Sequence, residues 1–296
     1  MIINPQNDYA DESIRIVVRE LKELNIPLHF HLNHYELSYV TGRAGILIIG
    51  DRMLEFGGKT LVLIPPRIPH TWITFKSADL YHAENYRYIT LQFSLEFFTK
   101  GLLLRKEMSN IRKLLVAAER ILLMPDFQDD SIINDLFSLK LESDFKTYIK
   151  ILEIFNRLGS IVQFNQLLGS RYDYRGNAKD KSKFEKVFTY LLENYTRRIK
   201  ISEPAGILGL NDTAFSHYFK KRTGKSFTDY INELRLLEAD ALIKLTNKKI
   251  SEVCAECGFN NLSNFNRIYK SRIGETPADR RRSHRLSAPL YGNNSV

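Results

Sequence analysis

Between residues 26 and 98 the apolar positions come in short runs, "PLHFHLNHYELSYVT", "GILIIG", "KTLVLIPP", "HTWITF" and "YRYITLQFS", parted by Gly, Pro and Asp. Runs of this kind, separated by turn formers at short intervals, predict an antiparallel sandwich or barrel. The period then changes. From about 103 to 123, "LLRKEMSNIRKLLVAAERILL" spaces its apolar residues by three and four, and 131 to 168 continues in the same way, so amphipathic helices are predicted after the sheet. Their stripes can pack on the sheet or pair with the same helices of a second subunit. "GSRYDYRGNAKDKSK" has no apolar period and reads as a linker, after which a further helical domain begins near Phe184.

That last domain contains a repeat. "ISEPAGILGL" at 201 to 210 aligns with "ISEVCAECGF" at 250 to 259, an offset of 49. One extra residue in the second turn makes the offset 50, and "FSHYFKKRTGKSFTDY" from Phe215 then matches "FNRIYKSRIGETPADR" from Phe265. Each half reads helix, tight turn, helix, the helix-turn-helix pattern whose second helix can enter a major groove. In the first unit Phe215, Tyr218 and Phe219 make the inward stripe, leaving Thr213, Ser216, His217 and Lys220 outward, with Lys221 beside them. In the second, Phe265, Ile268 and Tyr269 point inward and Ser263, Asn266, Arg267 and Lys270 outward. Arg267 is suited to a guanine edge and Asn266 to an adenine, while Lys220 and Lys270 suit phosphates. Taken singly, each is as easily a solvated surface residue; the duplication carries the inference. Between the units, 226 to 245 has no Gly or Pro and a stripe through Phe227, Ile231, Leu234, Leu237, Ala241 and Leu245, which predicts a rigid connecting helix of about 30 Å.

The repeat also decides the chemistry of "CAEC", which holds the chain's two cysteines. A C-x-x-C pair can be a redox dithiol or half of a zinc site. In the repeat register Cys254 takes the place of Ala205 and Cys257 that of Leu208, so both are expected to be packing residues. Charge divides along the chain in the same sense. Residues 1 to 180 hold 22 Lys and Arg against 22 Asp and Glu, and residues 181 to 296 hold 21 against 12, so the whole net charge of +9 lies in the last third. A neutral body joined to a basic domain points to a polyanion partner, through phosphate neutralisation and counterion release. Two cysteines, no basic and apolar leader, and no apolar run near 20 residues lead to the expectation of a soluble, cytoplasmic protein without a membrane partner.

The stretches "GLNDTAFSHYFKKRTGKSFTDYINELRLLEADALI" and "ISEVCAECGFNNLSNFNRIYKSRIGETPADRR" closely resemble the AraC/XylS family of bacterial transcription regulators, over nearly all of 184 to 282. "HFHLNHYELSYV", "LVLIPPRIPHTW" and "YITLQFS" are similar to the family's cupin-like amino-terminal domains. The resemblance implies an α+β, multi-domain chain: a cupin-like sensor barrel at 1–100, a helical and dimerising segment at 101–170, a linker at 171–183, a DNA-binding domain with two helix-turn-helix units at 184–284, and a tail at 285–296. It implies double-stranded DNA, a small-molecule effector, RNA polymerase and a second copy of the chain as partners, and an activator as one direction of control. One departure stands out: Pro204 occupies a position where the family has an aliphatic residue, so Ser202 is expected to cap a helix with Pro204 in its first turn.

His29, His31, Glu36 and His70 also resemble the H-x-H, Glu, His metal set of cupin enzymes, which gives the competing reading of a metal-dependent cupin enzyme tethered to a DNA-binding domain. Against it, "PPRIPH" lacks the glycine often found before the last histidine, and no G-x-S-x-G elbow, Walker loop or dinucleotide fingerprint offers another chemistry. The expectation is therefore no enzyme, no catalytic residue, no metal and no cofactor. His31, Glu36, His70 and Trp72 are taken instead as the lining of a ligand pocket, for a sugar or related metabolite.

Overall fold

A computed structural model describes residues 14–42, 44–75, 85–98, 100–139, 145–161, 165–166 and 178–287. Two compact units meet in sequence between Asn177 and Ala178. The linker expected at 171–183 lies outside the described residues up to 177, and its remainder is already helical; the tail beyond 287 also lies outside them.

The first unit holds strands β1 (Ile14–Leu21), β2 (His34–Thr41), β3 (Gly45–Ile49), β4 (Arg52–Phe56), β5 (Thr60–Ile64), β6 (His70–Thr74) and β7 (Tyr86–Ser94). There follow α1 (Lys100–Leu103), α2 (Ser109–Ala117), β8 (Leu122–Met124), α3 (Asp130–Phe137), α4 (Phe145–Ser160) and β9 (Asn165–Gln166). The strands pair antiparallel in two sheets, one ordered β1-β7-β2-β5-β8-β9 and the other β4-β3-β6. The expected barrel is thus corrected to two open sheets, with no closed barrel among the described residues. Closure depends on pairing between strands remote in sequence, which a period of two does not encode.

The large sheet is covered on both faces. Val40, Val62 and Ile64 meet Leu47, Ile49 and Trp72 of the small sheet. On the opposite face Leu37, Tyr39, Leu63 and Leu91 pack on Ile111 and Leu114 of α2 and Ile154 and Phe155 of α4. Double burial explains why β5 reads as a nearly continuous apolar run, whereas β2, also buried throughout its interior, carries the polar Glu36 and Ser38 on one face. α2 and α4 approach closely at Gly159, where a Cβ would stand 2.0 Å from the Asn110 carbonyl oxygen. Helix was expected from 103 to 123, yet α2 stops at Ala117 and Leu122–Met124 is a strand on β5. The run "ILLM" is apolar at every position, and such a run does not distinguish buried strand from helix. β1 lies ahead of the runs singled out in the sequence.

The second unit is helical: α5 (Ala178–Asn194), α6 (Ser202–Leu208), α7 (Asp212–Thr223), α8 (Phe227–Leu245), α9 (Ile250–Glu256), α10 (Leu262–Ile273) and α11 (Pro277–Ser287). α8 is the shared wall. Its amino-terminal half packs Phe227 against Phe215 and Phe219, and Tyr230 against Phe188 and Phe219. Its carboxyl-terminal half gives Leu236, Ala239, Leu242 and Ile243 to a core with Val253, Phe259, Phe265 and Tyr269. Leu237 and Leu245, expected in a single stripe, are only half-buried, because the helix changes its buried face along its length.

Candidate nucleic-acid interface and buried histidine cluster

The two repeats build the same object from the same local signals. α7 and α10 each have twelve residues. Asn211 accepts from the Ala214 N–H at 2.9 Å, and Asn261 from the Asn264 N–H at 2.8 Å, so each helix starts on a side-chain cap. Both end at a left-handed glycine, Gly224 and Gly274. The helices before them stop alike: Leu210 N–H reaches the Ala205 carbonyl at 3.0 Å, and Phe259 N–H the Cys254 carbonyl at 2.9 Å. The carboxylates of Glu203 and Glu252 accept from the backbone N–H of Lys200 and Lys249. Ser202 is not the expected cap; it is the first residue of α6, and Glu203 does the capping. Pro204 falls in the first turn, where its missing N–H would have had no helical partner.

Exposure repeats residue for residue. Positions 211–220 and 261–270 carry one identical sequence of burial classes, with Phe215, Phe219, Phe265 and Tyr269 buried. Thr213, Ser216, His217, Lys220 and Lys221 are exposed on α7, as are Ser263, Asn266, Arg267 and Lys270 on α10. Two of them have internal partners. Ser216 donates its hydroxyl back to the Asp212 carbonyl at 2.8 Å, and Arg267 donates to the Asn264 carboxamide at 2.9 Å. Sequence reasoning missed Asn264, one turn before Arg267 on the same face, and Arg222 and Arg272 in the last turns, Arg222 stacking over Tyr218 at 5.5 Å. The i, i+3 spacing to Arg267 was the available signal for Asn264. At about 1.5 Å per residue the nineteen residues of α8 span about 28 Å, near the 34 Å of a DNA turn. Cys254 and Cys257 are buried free thiols in the core beside α8, and burial pushes the Cys257 thiol far up, which removes its thiolate chemistry.

In the first unit, His29, His31, Glu36 and His70 converge between the two sheets, all buried. Glu36 and Ser38 lie on the β2 face opposite Gln92 and Thr90 of β7. The segment before β2 runs along β6: His29 and His70 exchange backbone hydrogen bonds at 3.0 and 2.8 Å, and the His31 carbonyl accepts from Arg67 N–H at 2.7 Å. His31 Nε2 is 2.9 Å from the Glu36 carboxylate, which also accepts from Ser38 Oγ at 2.7 Å and Gln92 Nε2 at 3.1 Å. Burial by itself would raise the Glu36 pKa, but His70, His29 and His31 outweigh it and hold the carboxyl well below its ordinary range. Burial, with His70 adding to it, pushes His29 down to about 4.

A cavity of about 450 Å³ adjoins the cluster, bordered by Arg15, Arg19, His29, Glu36, Tyr88 and Gln92 among others. Of the residues expected to line it, Glu36 does so; His31 and His70 stand behind it in the cluster. Trp72, expected among the lining residues, does not border it: the indole is fully buried edge-on to Phe56, 4.9 Å between rings, as part of the core.

The geometry of the second unit defines a double helix-turn-helix module on a common helix. Residues 205–283 match the model of a helix-turn-helix domain family. The chain is 29% identical over 128 residues to the HTH-type transcriptional activator RhaS of Mannheimia succiniciproducens, covering 43% of this chain and 46% of that one. It is 35% identical over 88 residues to the HTH-type transcriptional regulator YobQ of Bacillus subtilis, covering 30% and 36%. Among solved structures, the C-terminal domain of the response regulator yesN from Fusobacterium nucleatum is 28% identical, with 34% of this chain and 98% of that one covered at a TM-score of 0.33. The chain spans less than half the length of these two sequence relatives. Its carboxyl-terminal module is thus a helix-turn-helix domain. Among the described residues no helix is long and apolar enough to cross a membrane.

Proposed function

We propose that this chain is a sequence-specific DNA-binding transcription regulator, controlled by a small molecule held in its first unit. The observation that carries the reading is the duplicated helix: α7 and α10 share cap, length, stop and exposure, and both offer small polar and basic side chains on the outer face. Arg267 and Asn266 read base edges, and Lys220, Lys221 and Lys270 contact phosphates. The 450 Å³ cavity is within the range of small-molecule sites, and Arg15 and Arg19 on its wall favour a polar, acidic metabolite of sugar size. The cupin-like sensor, the dimer, RNA polymerase as a partner and the direction of control belong to this proposal. Its effector acts by binding two arrangements of the chain with different affinity.

Selection of duplexes from a random pool by the full chain tests it. Arg267→Ala is expected to weaken the selected site by about 1–3 kcal/mol and relax one base pair, whereas Lys270→Ala weakens all sequences and flattens the salt dependence. Binding of every selected duplex no tighter than random DNA would end the reading.

A further inference from the structure

We infer that Asn264 is a specificity-determining residue of the second helix-turn-helix unit: its carboxamide holds the Arg267 guanidinium on the outer face of α10, and the pair reads one guanine. The inference rests on the DNA-binding reading and adds to it a residue that sets how strictly one base is chosen.

Packing and capping do not account for Asn264. It is exposed, and the cap of α10 is Asn261, whose carboxamide accepts from the Asn264 N–H at 2.8 Å. Among the described residues the Asn264 side chain bonds to Arg267 alone, accepting from Nη2 at 2.9 Å. Asparagine is a poorer helix former than alanine, so the helix itself gains nothing from it. The first unit shows that the fold does without this amide, for at the matching place α7 carries Ala214, three residues before His217.

The bond fixes the chemistry of the face as well as its shape. A guanidinium only donates, so Asn264 turns Oδ1 toward Arg267 and is left with Nδ2, a further donor. One of five guanidinium N–H groups is occupied, and two parallel ones remain for O6 and N7 of a guanine. The pair therefore offers donors alone. Guanine's two acceptors match them, whereas cytosine presents its amino group and sets donor against donor. Asn264 is anchored in turn, because the Asn261 cap pins its backbone in the first turn of the helix. An arginine without such a partner loses rotamer freedom on binding and can swing to another base or a phosphate; one already held loses less and has fewer alternatives. Ala214 gives His217 no such support, so the second unit should choose its base more strictly than the first does at the matching position.

The test selects duplexes from a random pool with the full chain, then titrates the selected site and its single-base variants with the parent, Asn264→Ala, Arg267→Ala and the double variant. Asn264→Ala is expected to lower affinity for the guanine-bearing site about 2- to 12-fold, the cost of ordering one long side chain. Preference for guanine should fall by at least the same factor, at the base pair where Arg267→Ala acts. On the Arg267→Ala background the second substitution should change neither quantity. A merely structural role would weaken all sequences alike and persist without Arg267. In the free parent chain, nitrogen-15 NMR should show slowed rotation of the Arg267 guanidinium, released in Asn264→Ala. A selective parent whose guanine preference Asn264→Ala leaves unmoved, or losses that add in the double variant, overturns the inference and leaves the DNA-binding reading standing. A parent that prefers no duplex removes both. Free rotation of the Arg267 guanidinium in the parent overturns the inference even where a variant loses its fold.

Discussion

Asp240 offers the sharpest test of how the second unit is held together. It is 3% exposed on α8, and its carboxylate accepts from Arg280 Nε at 3.0 Å, from Lys244 at 3.0 Å and from the Tyr269 hydroxyl, tying α8 to α10 and α11. Burial alone would raise its pKa; Arg280, Lys244 and Tyr269 outweigh that and hold it below the ordinary 3.8. Asp240→Asn keeps the shape and an acceptor for Tyr269 while deleting the charge. Breaking a buried pair from one side costs about 3–5 kcal/mol. Arg280, however, is 34% exposed and regains water. Screening of that kind reduces the expected loss to about 2 kcal/mol, a factor of about 30. Hydrogen exchange on the full chain, read by mass spectrometry, should show α10 exchanging about 30-fold faster, with α7 unchanged because it packs on the other half of α8. Because the folded carboxyl is depressed, its contribution is complete at neutral pH and is lost as pH falls through the folded value. The gap between variant and parent therefore closes only below 3.8. A change in α10 of less than about threefold at neutral pH, or an equal change in α7, would refute the reasoning.

Two glycines of the module should respond oppositely to alanine. At Gly258, φ is +82° and a Cβ would stand 2.5 Å from the Thr196 carbonyl oxygen, so Gly258→Ala is expected to cost at least about 2 kcal/mol in thermal unfolding. Gly206, inside α6, has nothing within 4 Å of an added Cβ, and Gly206→Ala should stabilise by about 0.4–1 kcal/mol. Pro204→Leu should leave DNA affinity intact or raise it, since no helical hydrogen bond depends on that nitrogen; a large loss in a well-folded variant would show that the helix start is misunderstood.

The repeat was legible because its signals are local. Caps, glycines and a 3.6-residue period are encoded within a few residues of where they act, so the outward faces of α7 and α10, and the packing role of Cys254 and Cys257, could be read before any coordinates. The buried acids of α8 could not. Glu238, which accepts from Tyr195 at 2.8 Å, and Asp240 look like solvated positions in a one-faced stripe, and only the second packing face turns them inward. In the first unit, strand spacing put His29 and His31 on one face, and the resemblance added Glu36 and His70; the convergence itself depends on a β-bridge and on strand register between distant segments, which spacing does not encode. For the same reason the open sheets and the core position of Trp72 were beyond a reading of runs and spacings.

The shared wall makes the length of α8 a coded quantity. Adding one residue to a helix advances everything beyond it by about 1.5 Å and turns it by about 100°. An insertion in mid-rod would leave each half folded on its own stretch, yet rotate the outward face of α10, with Arg267, by about 100° against that of α7, with His217. Under the DNA-binding proposal, operator choice would then be written twice, once in the outward side chains and once in the count of residues between them.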